Sequence, residues 1–217
     1  MANLKEIRGR IKSIKSIQKV TSAMKMVAAA KLRTSQSNME QCRPYSGKIT
    51  SLLNDLMADC NSNDYDLMNK RDVNKTLYVV ITSDRGMAGA FNTNILKKAQ
   101  SDIDLDSKEK SVIIPIGKKS RDYFKNRNFN IFSEHIEFWG DLNFNHAIKI
   151  GDEIVNLFLS QKVDKVKIYY NEFKNLATQV IKNVDFLPLE NIDTETKILT
   201  TDRLYEPSKE QILKELI

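Results

Sequence analysis

The residues best placed to do chemistry are Ser83-Asp84-Arg85-Gly86-Met87-Ala88-Gly89, which follow a short apolar run and precede a helical pattern. A loop in that position of an α/β fold can hold phosphate on the free amides of the next helix. The loop has only Gly86 and Gly89 and no Lys-Ser or Lys-Thr, so it matches neither the dinucleotide fingerprint nor the phosphate-binding P-loop. A tight strand-to-helix turn is the reading its composition favours, with a nucleotide-dependent enzyme as the alternative. His135 and His146 stand eleven apart with no Cys or carboxylate at a recognised zinc-ligand spacing, and no nucleophile elbow or carboxylate pair accompanies them. They read as ordinary polar residues, without a catalytic or metal role. Cys42 and Cys60 read as free thiols of a reducing compartment. Trp139, between Phe138 and Gly140, reads as satellite core packing, with an interface anchor as the alternative.

A second chemistry lies in charge. Between Met1 and Arg33 stand nine cations (Lys5, Arg8, Arg10, Lys12, Lys15, Lys19, Lys25, Lys31 and Arg33) and one acid, Glu6, a net +8. The whole chain is +6, so the remaining residues carry −2 and the basic excess belongs to this segment alone. Such a stretch can meet a phosphate backbone, an anionic lipid surface or an acidic protein. Nucleic-acid binding stays open as an alternative, although no Arg-rich groove reader or downstream zipper is visible. Lipid binding would favour Trp or Phe on the apolar side, where this chain has Ile, Val and Met. A helical partner in an acidic setting fits best.

The element that presents these charges is a long helix. Leu4, Ile7, Ile11, Ile14, Ile17, Val20, Met24 and Val27 recur at spacings of three and four, a coiled-coil-like seam interrupted by consecutive threes from Ile14 to Val20. Asn3 and Glu6 form a plausible capping pair. Arg43 precedes Pro44, which predicts a bend or break there, before the pattern resumes through Ile49, Leu52, Leu53, Leu56 and Met57. A helix of this kind cannot bury its stripe by itself, so it calls for a partner.

Beyond it the chain reads as an α/β body. Residues 61–75 turn polar and read as a linker. Leu77 to Ile81 is a continuous apolar run, as expected of a strand buried on both faces. A helix over Ala90–Gln100, a strand over Val112–Ile116 and a helix over Lys118–Arg127 follow, with Phe129–Phe132 as a candidate third strand. Ala147 to Leu159 is amphipathic. The alternations at Val166, Ile168 and Tyr170 and at Val184 and Phe186 predict two strands bracketing Asn171–Thr178. The fold class is α/β, a long N-terminal coiled-coil helix plus a mostly parallel open sheet flanked by helices, Rossmann-like, with an antiparallel pair at its end. Ser208 and Gln211 form a capping box that opens a last short helix, just after Pro207. The chain of 217 residues has no apolar run of membrane-spanning length and no secretory leader.

Several stretches together resemble one family. Lys12-Ser13-Ile14-Lys15-Ser16-Ile17-Gln18-Lys19-Val20-Thr21 and Ala23-Met24-Lys25-Met26-Val27-Ala28-Ala29-Ala30-Lys31 closely resemble the N-terminal helix of the gamma subunits of F-type ATP synthases. Thr82 to Asn92 resembles that family's central signature, with Met87-Ala88 where Leu-Cys is common. Tyr169-Tyr170-Asn171-Glu172-Phe173 and Tyr205-Glu206-Pro207 fit in the same order. The resemblance implies a non-catalytic rotor subunit that couples rotation of the membrane ring to the conformational cycle of the catalytic beta subunits, at the cytoplasmic face of a bacterial inner membrane. It divides the chain into a shaft helix (1–60), a linker (61–75), a globular foot (76–200) and the start of a C-terminal helix (201–217). It implies alpha, beta and epsilon subunits and the c-ring as partners, with no cofactor, no nucleic acid and no membrane insertion. Met24 and Lys25 would lie where the shaft meets an acidic lever on beta. Lys19, Lys31 and Arg33 would share that basic surface, and Tyr205 would lie near the foot, facing the ring. The family pairs its first helix with a longer C-terminal one that would begin near Ser208, so a fragment of a longer protein is expected.

Overall fold

The computed structural model describes residues 3–58, 65–190 and 205–216, which form two compact units, one up to Leu56 and one from Met57 onward. The first is a single helix, α1 (Leu4–Met57), of 54 residues. At a rise of 1.5 Å per residue it is about 80 Å long. Asn3 caps it through the Lys5 amide, which donates to Asn3 Oδ1 over 3.2 Å. Glu6 does not reach back to complete the capping box, because it pairs with Arg10 one turn on at 2.8 Å. The expected break at Pro44 does not occur, and α1 runs through it. The amide that Pro44 lacks would have bonded to the Glu40 carbonyl. Glu40 lies on an exposed stretch where water can take that role, so the missing bond weakens the helix without ending it.

The second unit is built on a four-stranded sheet in the order β2-β1-β3-β4. The strands are β1 (Thr76–Ile81), β2 (Ser111–Ile116), β3 (Lys165–Phe173) and β4 (Gln179–Leu187). β1 is flanked by parallel β2 and β3, and β4 returns antiparallel to β3. The helices are α2 (Phe91–Asp106), α3 (Lys118–Lys125), α4 (Phe144–Leu159) and α5 (Lys209–Leu216). Central β1 alternates its side chains between two cores, which is why its sequence is apolar without interruption. Leu77 and Val79 join Ile114, Val166 and the α4 residues Ile154, Leu157 and Phe158 on one face. Tyr78 and Val80 join Tyr169, the α2 residues Ile95, Leu96, Ala99 and Ile103, and Phe124 of α3 on the other. Each such fully buried large side chain contributes about 1.5–3 kcal/mol.

Phe129 to Phe132 does not form the third strand the sequence suggested. Ile131 and His135 make only isolated bridges to Ile113 and Ile116 at the outer edge of β2. Pro115 of β2 has no amide to donate, although its carbonyl does accept from the His135 amide at 3.1 Å. α2 is longer than expected, ending at Asp106, and the turn between β3 and β4 is shorter, because the strands reach Phe173 and begin again at Gln179.

Of the segment 61–75 read as a linker, residues 61–64 lie outside the described residues and 65–75 are tied into the body. Leu67 is buried in the α4-side core. Arg71 donates through Nη2 to the carbonyls of Phe158 and Val163, over 2.7 Å and 2.5 Å, and pairs with Asp164 at 2.9 Å. Its guanidinium lies 4.3 Å from the centre of the Phe158 ring. The polar composition reported surface exposure of most of this segment and hid its two anchors.

On the α2 side, two buried tyrosines fasten the helix to the sheet. Tyr78 donates its hydroxyl to Asp106, and Tyr169 donates to Asp102 over 2.9 Å. Lys167 and Lys98 approach the same two carboxylates, at 2.9 Å and 2.8 Å. Burial, then the hydrogen bond to a carboxylate, pushes both phenols well above their usual range. Partial burial would raise Asp106, but hydrogen bonds from Tyr78 and Lys167 and the charges of Lys167 and Lys165 outweigh it and hold the carboxyl below its usual value.

Candidate interaction surfaces and the strand-to-helix loop

The polar groups at the base of the loop after β1 hold the turn and join it to the segments beside it. The Ser83 amide donates to Asn92 Oδ1 at 3.1 Å, Asn92 Nδ2 donates to Ser83 Oγ at 2.9 Å, and Ser83 Oγ donates to the Arg85 carbonyl at 2.7 Å. Asp84 accepts from the amide of Lys118, the first residue of α3, at 2.8 Å, and from the amide of Glu137 at 3.0 Å. The carboxylate thus satisfies one of the orphan donors of the α3 N-terminus. Gly117 has φ +99, and a Cβ there would stand 2.2 Å from the Thr82 carbonyl oxygen, so this close approach requires glycine. Thr82 Oγ1 accepts from the Ser120 amide at 2.9 Å, which completes the join between the β1 and β2 turns. Above this base Arg85 to Ala90 are exposed, with Met87 at φ +57 and Gly89 at φ +56. The turn reading accounts for every one of these contacts.

Neither histidine stands in a ligand set. His135 Nε2 lies 2.7 Å from Glu153 Oε2, while its main chain accepts from the Gly117 amide at 2.7 Å. The residue pins an irregular edge segment between β2 and α4. His146 stacks on Phe138 with centroids 5.5 Å apart. Among the described residues no group of three or more His, Cys, Asp and Glu side chains is arranged to hold a metal ion. Cys42 is a free, exposed thiol, and Cys60 lies outside the described residues.

The second surface is α1 itself. Leu4, Ile7, Ile11, Ile14, Ile17, Val20, Met24 and Val27 are all between 42% and 73% exposed, so the whole predicted seam is open. Lys19, Lys25, Lys31 and Arg33 are exposed on the same helix, and Met24 lies in the seam at 62% exposure. These five residues share one continuous rod. Tyr205 belongs to the other unit, where it is half-buried with Lys209 Nζ 5.3 Å from its ring centre. The described residues include no helix long and apolar enough to cross a membrane.

Sequence reasoning missed the partners of Asp84 and Arg71, because both act on backbone groups of segments remote in the chain. Phe138 is the residue that packs against the α4-side core, whereas Trp139 stacks on Phe138 at 4.7 Å and stays 39% exposed.

A family profile described as ATP synthase matches residues 3–217. The ATP synthase gamma chain of Christiangramia forsetii is 43% identical, over all of this chain and 76% of that protein. The gamma chain of Flavobacterium johnsoniae is 40% identical over the same shares. Among solved structures, the central stalk and c-ring of the Tetrahymena thermophila mitochondrial ATP synthase contains a similar chain, with TM-score 0.64 and 27% identity, covering 90% of this chain and 84% of that one. A chain of the Euglena gracilis mitochondrial ATP synthase rotor shares the fold, with TM-score 0.58 and 23% identity over 82% of this chain and 61% of that one.

Proposed function

The chain belongs to the ATP synthase gamma-chain family, and from that premise we propose that it acts as the rotor shaft and foot of the complex. It is a central-stalk subunit of an F-type ATP synthase, part of a hetero-oligomeric assembly with other F1 subunits and the c-ring. In the proposed mechanism the turning c-ring carries the body of this subunit with it. The asymmetric rod then drives the catalytic beta subunits through their states, and the chain itself performs no chemistry.

The observation that carries this reading is α1, a 54-residue helix with an open apolar seam and a row of exposed cations. A rod of about 80 Å that reached into a ring of subunits would need contacts that hold it while letting it turn. Charge offers that kind of contact, since Coulomb attraction falls off gently with distance and does not demand one fixed register. On this reading Met24 and Lys25 meet an acidic lever on beta, and Lys19, Lys31 and Arg33 extend the same surface. Tyr205 lies near the foot on the side of the ring. The subunit is peripheral in a membrane complex, and its proposed place is the cytoplasmic face of a bacterial inner membrane. The loop around Gly86 and Gly89 is then a structural turn, in keeping with the hydrogen bonds of its base to α2, α3 and Glu137.

The test is capture of this chain, under its native expression, from membranes extracted with mild detergent. Alpha and beta subunits are expected in the captured material in stoichiometric amounts. In the same complex, reversing Lys19, Lys25, Lys31 and Arg33 to Glu is expected to abolish ATP-driven proton pumping while ATP hydrolysis persists. Absence of alpha and beta, or full pumping by the reversed variant, would overturn the reading.

A further inference from the structure

At and just before the start of α4 the body leaves four large apolar side chains partly or largely exposed within ten residues. Trp139 is 39% exposed, Leu142 60%, Phe144 75% and Ile148 42%. Phe144 and Ile148 are four residues apart on α4 and so share one strip of it, and exposed Asp152 continues that strip by another turn. Trp139 is held against the start of the helix through Phe138, which stacks on Trp139 at 4.7 Å and on His146 at 5.5 Å. Asn143 caps α4 through the His146 amide at 3.2 Å, which fixes where the helix begins and hence where Phe144 points. The patch is preorganised, and clustered aromatic side chains of this sort mark protein interaction sites more often than bare solvent-exposed surface.

Charge decides the kind of occupant. Between Glu134 and Glu153 the chain carries five carboxylates, Glu134, Glu137, Asp141, Asp152 and Glu153, against a single cation, Lys149. Glu137 is engaged by Lys118, Glu134 approaches Arg121 at 3.8 Å, and Glu153 meets His135. Asp141 and Asp152, the two that border the apolar patch, are exposed and have no ion-pair partner among the described residues. An acidic rim repels anionic lipid headgroups and nucleic-acid phosphates. It attracts a basic surface, and the apolar centre asks that surface for aliphatic or aromatic side chains of its own.

We propose that Trp139, Leu142, Phe144 and Ile148, bordered by Asp141 and Asp152, form a docking surface for a basic segment of another protein subunit that carries an apolar face. The surface is separate from the basic seam of α1, with the opposite charge, so the two select different partners. The proposal rests on the chain's place in a multi-subunit assembly.

The test places a benzophenone photo-crosslinking side chain at Phe144, at Leu142 in a second variant, and at exposed Leu105 of α2 as control, each in the assembled complex. The expected result is a crosslink from positions 144 and 142, and none from 105, to a segment of another subunit rich in Lys or Arg. Converting Asp141 and Asp152 to Lys, both exposed and uninvolved in the fold, is expected to reduce that yield several-fold. If chains probed at 144 and 142 are excluded from complexes that accept the 105 control, the proposal is also supported, because the probe has displaced a partner. Complexes containing alpha and beta in which positions 144 and 142 crosslink to nothing, to lipid, to a second copy of this chain or to a segment without cations overturn the proposal alone. Failure of every chain, the control included, to recover alpha and beta overturns the functional reading instead.

Discussion

Tyr78, Asp106 and Lys167 show how single residues make this sheet and helix one body. The phenol is buried among apolar neighbours, and its proton is offered to a carboxylate that also accepts from a lysine. Because Asp106 is held below its usual 3.8 when folded, its contribution is present at neutral pH and is lost as pH falls through the folded value. The raised phenols act at the other end. Tyr78 and Tyr169 stay neutral when folded, whereas in the unfolded chain they ionise near 10.0, so their contribution is full below that value and drains away as pH rises past it. Asp106→Asn is expected to lower stability at neutral pH by about 1 kcal/mol, a modest figure because the carboxylate is partly exposed and screened. The variant should also lose less stability than the parent on acidification, as followed by urea unfolding from neutral pH down to pH about 3. Parallel acid limbs in the two proteins would show that Asp106 is not held as described. None of this triad is visible in the sequence, where the three residues are separated by 28 and 61 positions and look like one core aromatic and two surface charges.

At the scale of elements, legibility followed periodicity. α1, β1, β2 and the β3–β4 pair are strongly patterned over their own length, and the sequence places each of them within a few residues. The failures came where a local rule competed with context. Pro44 predicted a break on the strength of one missing hydrogen bond, yet the Glu40 carbonyl that loses it lies on an exposed stretch open to water and α1 continues. Phe129 to Phe132 has strand composition, but β2 offers it only isolated bridges, and the edge segment is pinned instead by the main chain and ring of His135. That Lys19, Met24, Lys25, Lys31 and Arg33 stand exposed on one helix could be read, because charge and spacing lie in one local pattern. The exposure of Trp139 could not, since it depends on which of two adjacent rings faces the core. The Pro44 account has a measurable consequence. A proline in a helix interior costs about 3 kcal/mol, so Pro44→Ala should tighten α1 locally, with slower amide hydrogen exchange from Ser46 to Ile49 and a deeper helical circular-dichroism signal. Unchanged exchange there would mean that the residue at 44 does not limit the helix.

For the molecule as a whole the governing fact is the separation of charge, +8 in the first 33 residues and −2 in the rest. An open seam of Ile, Val and Met on α1 should drive the chain to associate with any complementary helix. A second copy of the same helix brings the same cations, and the two rows repel. That repulsion is screened as ionic strength rises, with a Debye length of about 10 Å at 0.1 M salt and about 3 Å at 1 M. The apolar attraction is not screened. Self-association of the purified chain should therefore be weak in dilute buffer and strengthen with added sodium chloride, which sedimentation velocity would record as a rising weight-average coefficient. Binding of the same helix to an acidic partner should weaken over the same range, because there salt removes an attraction. Self-association that falls with salt would place it on oppositely charged surfaces, and the α1 seam would then not be what brings two copies together.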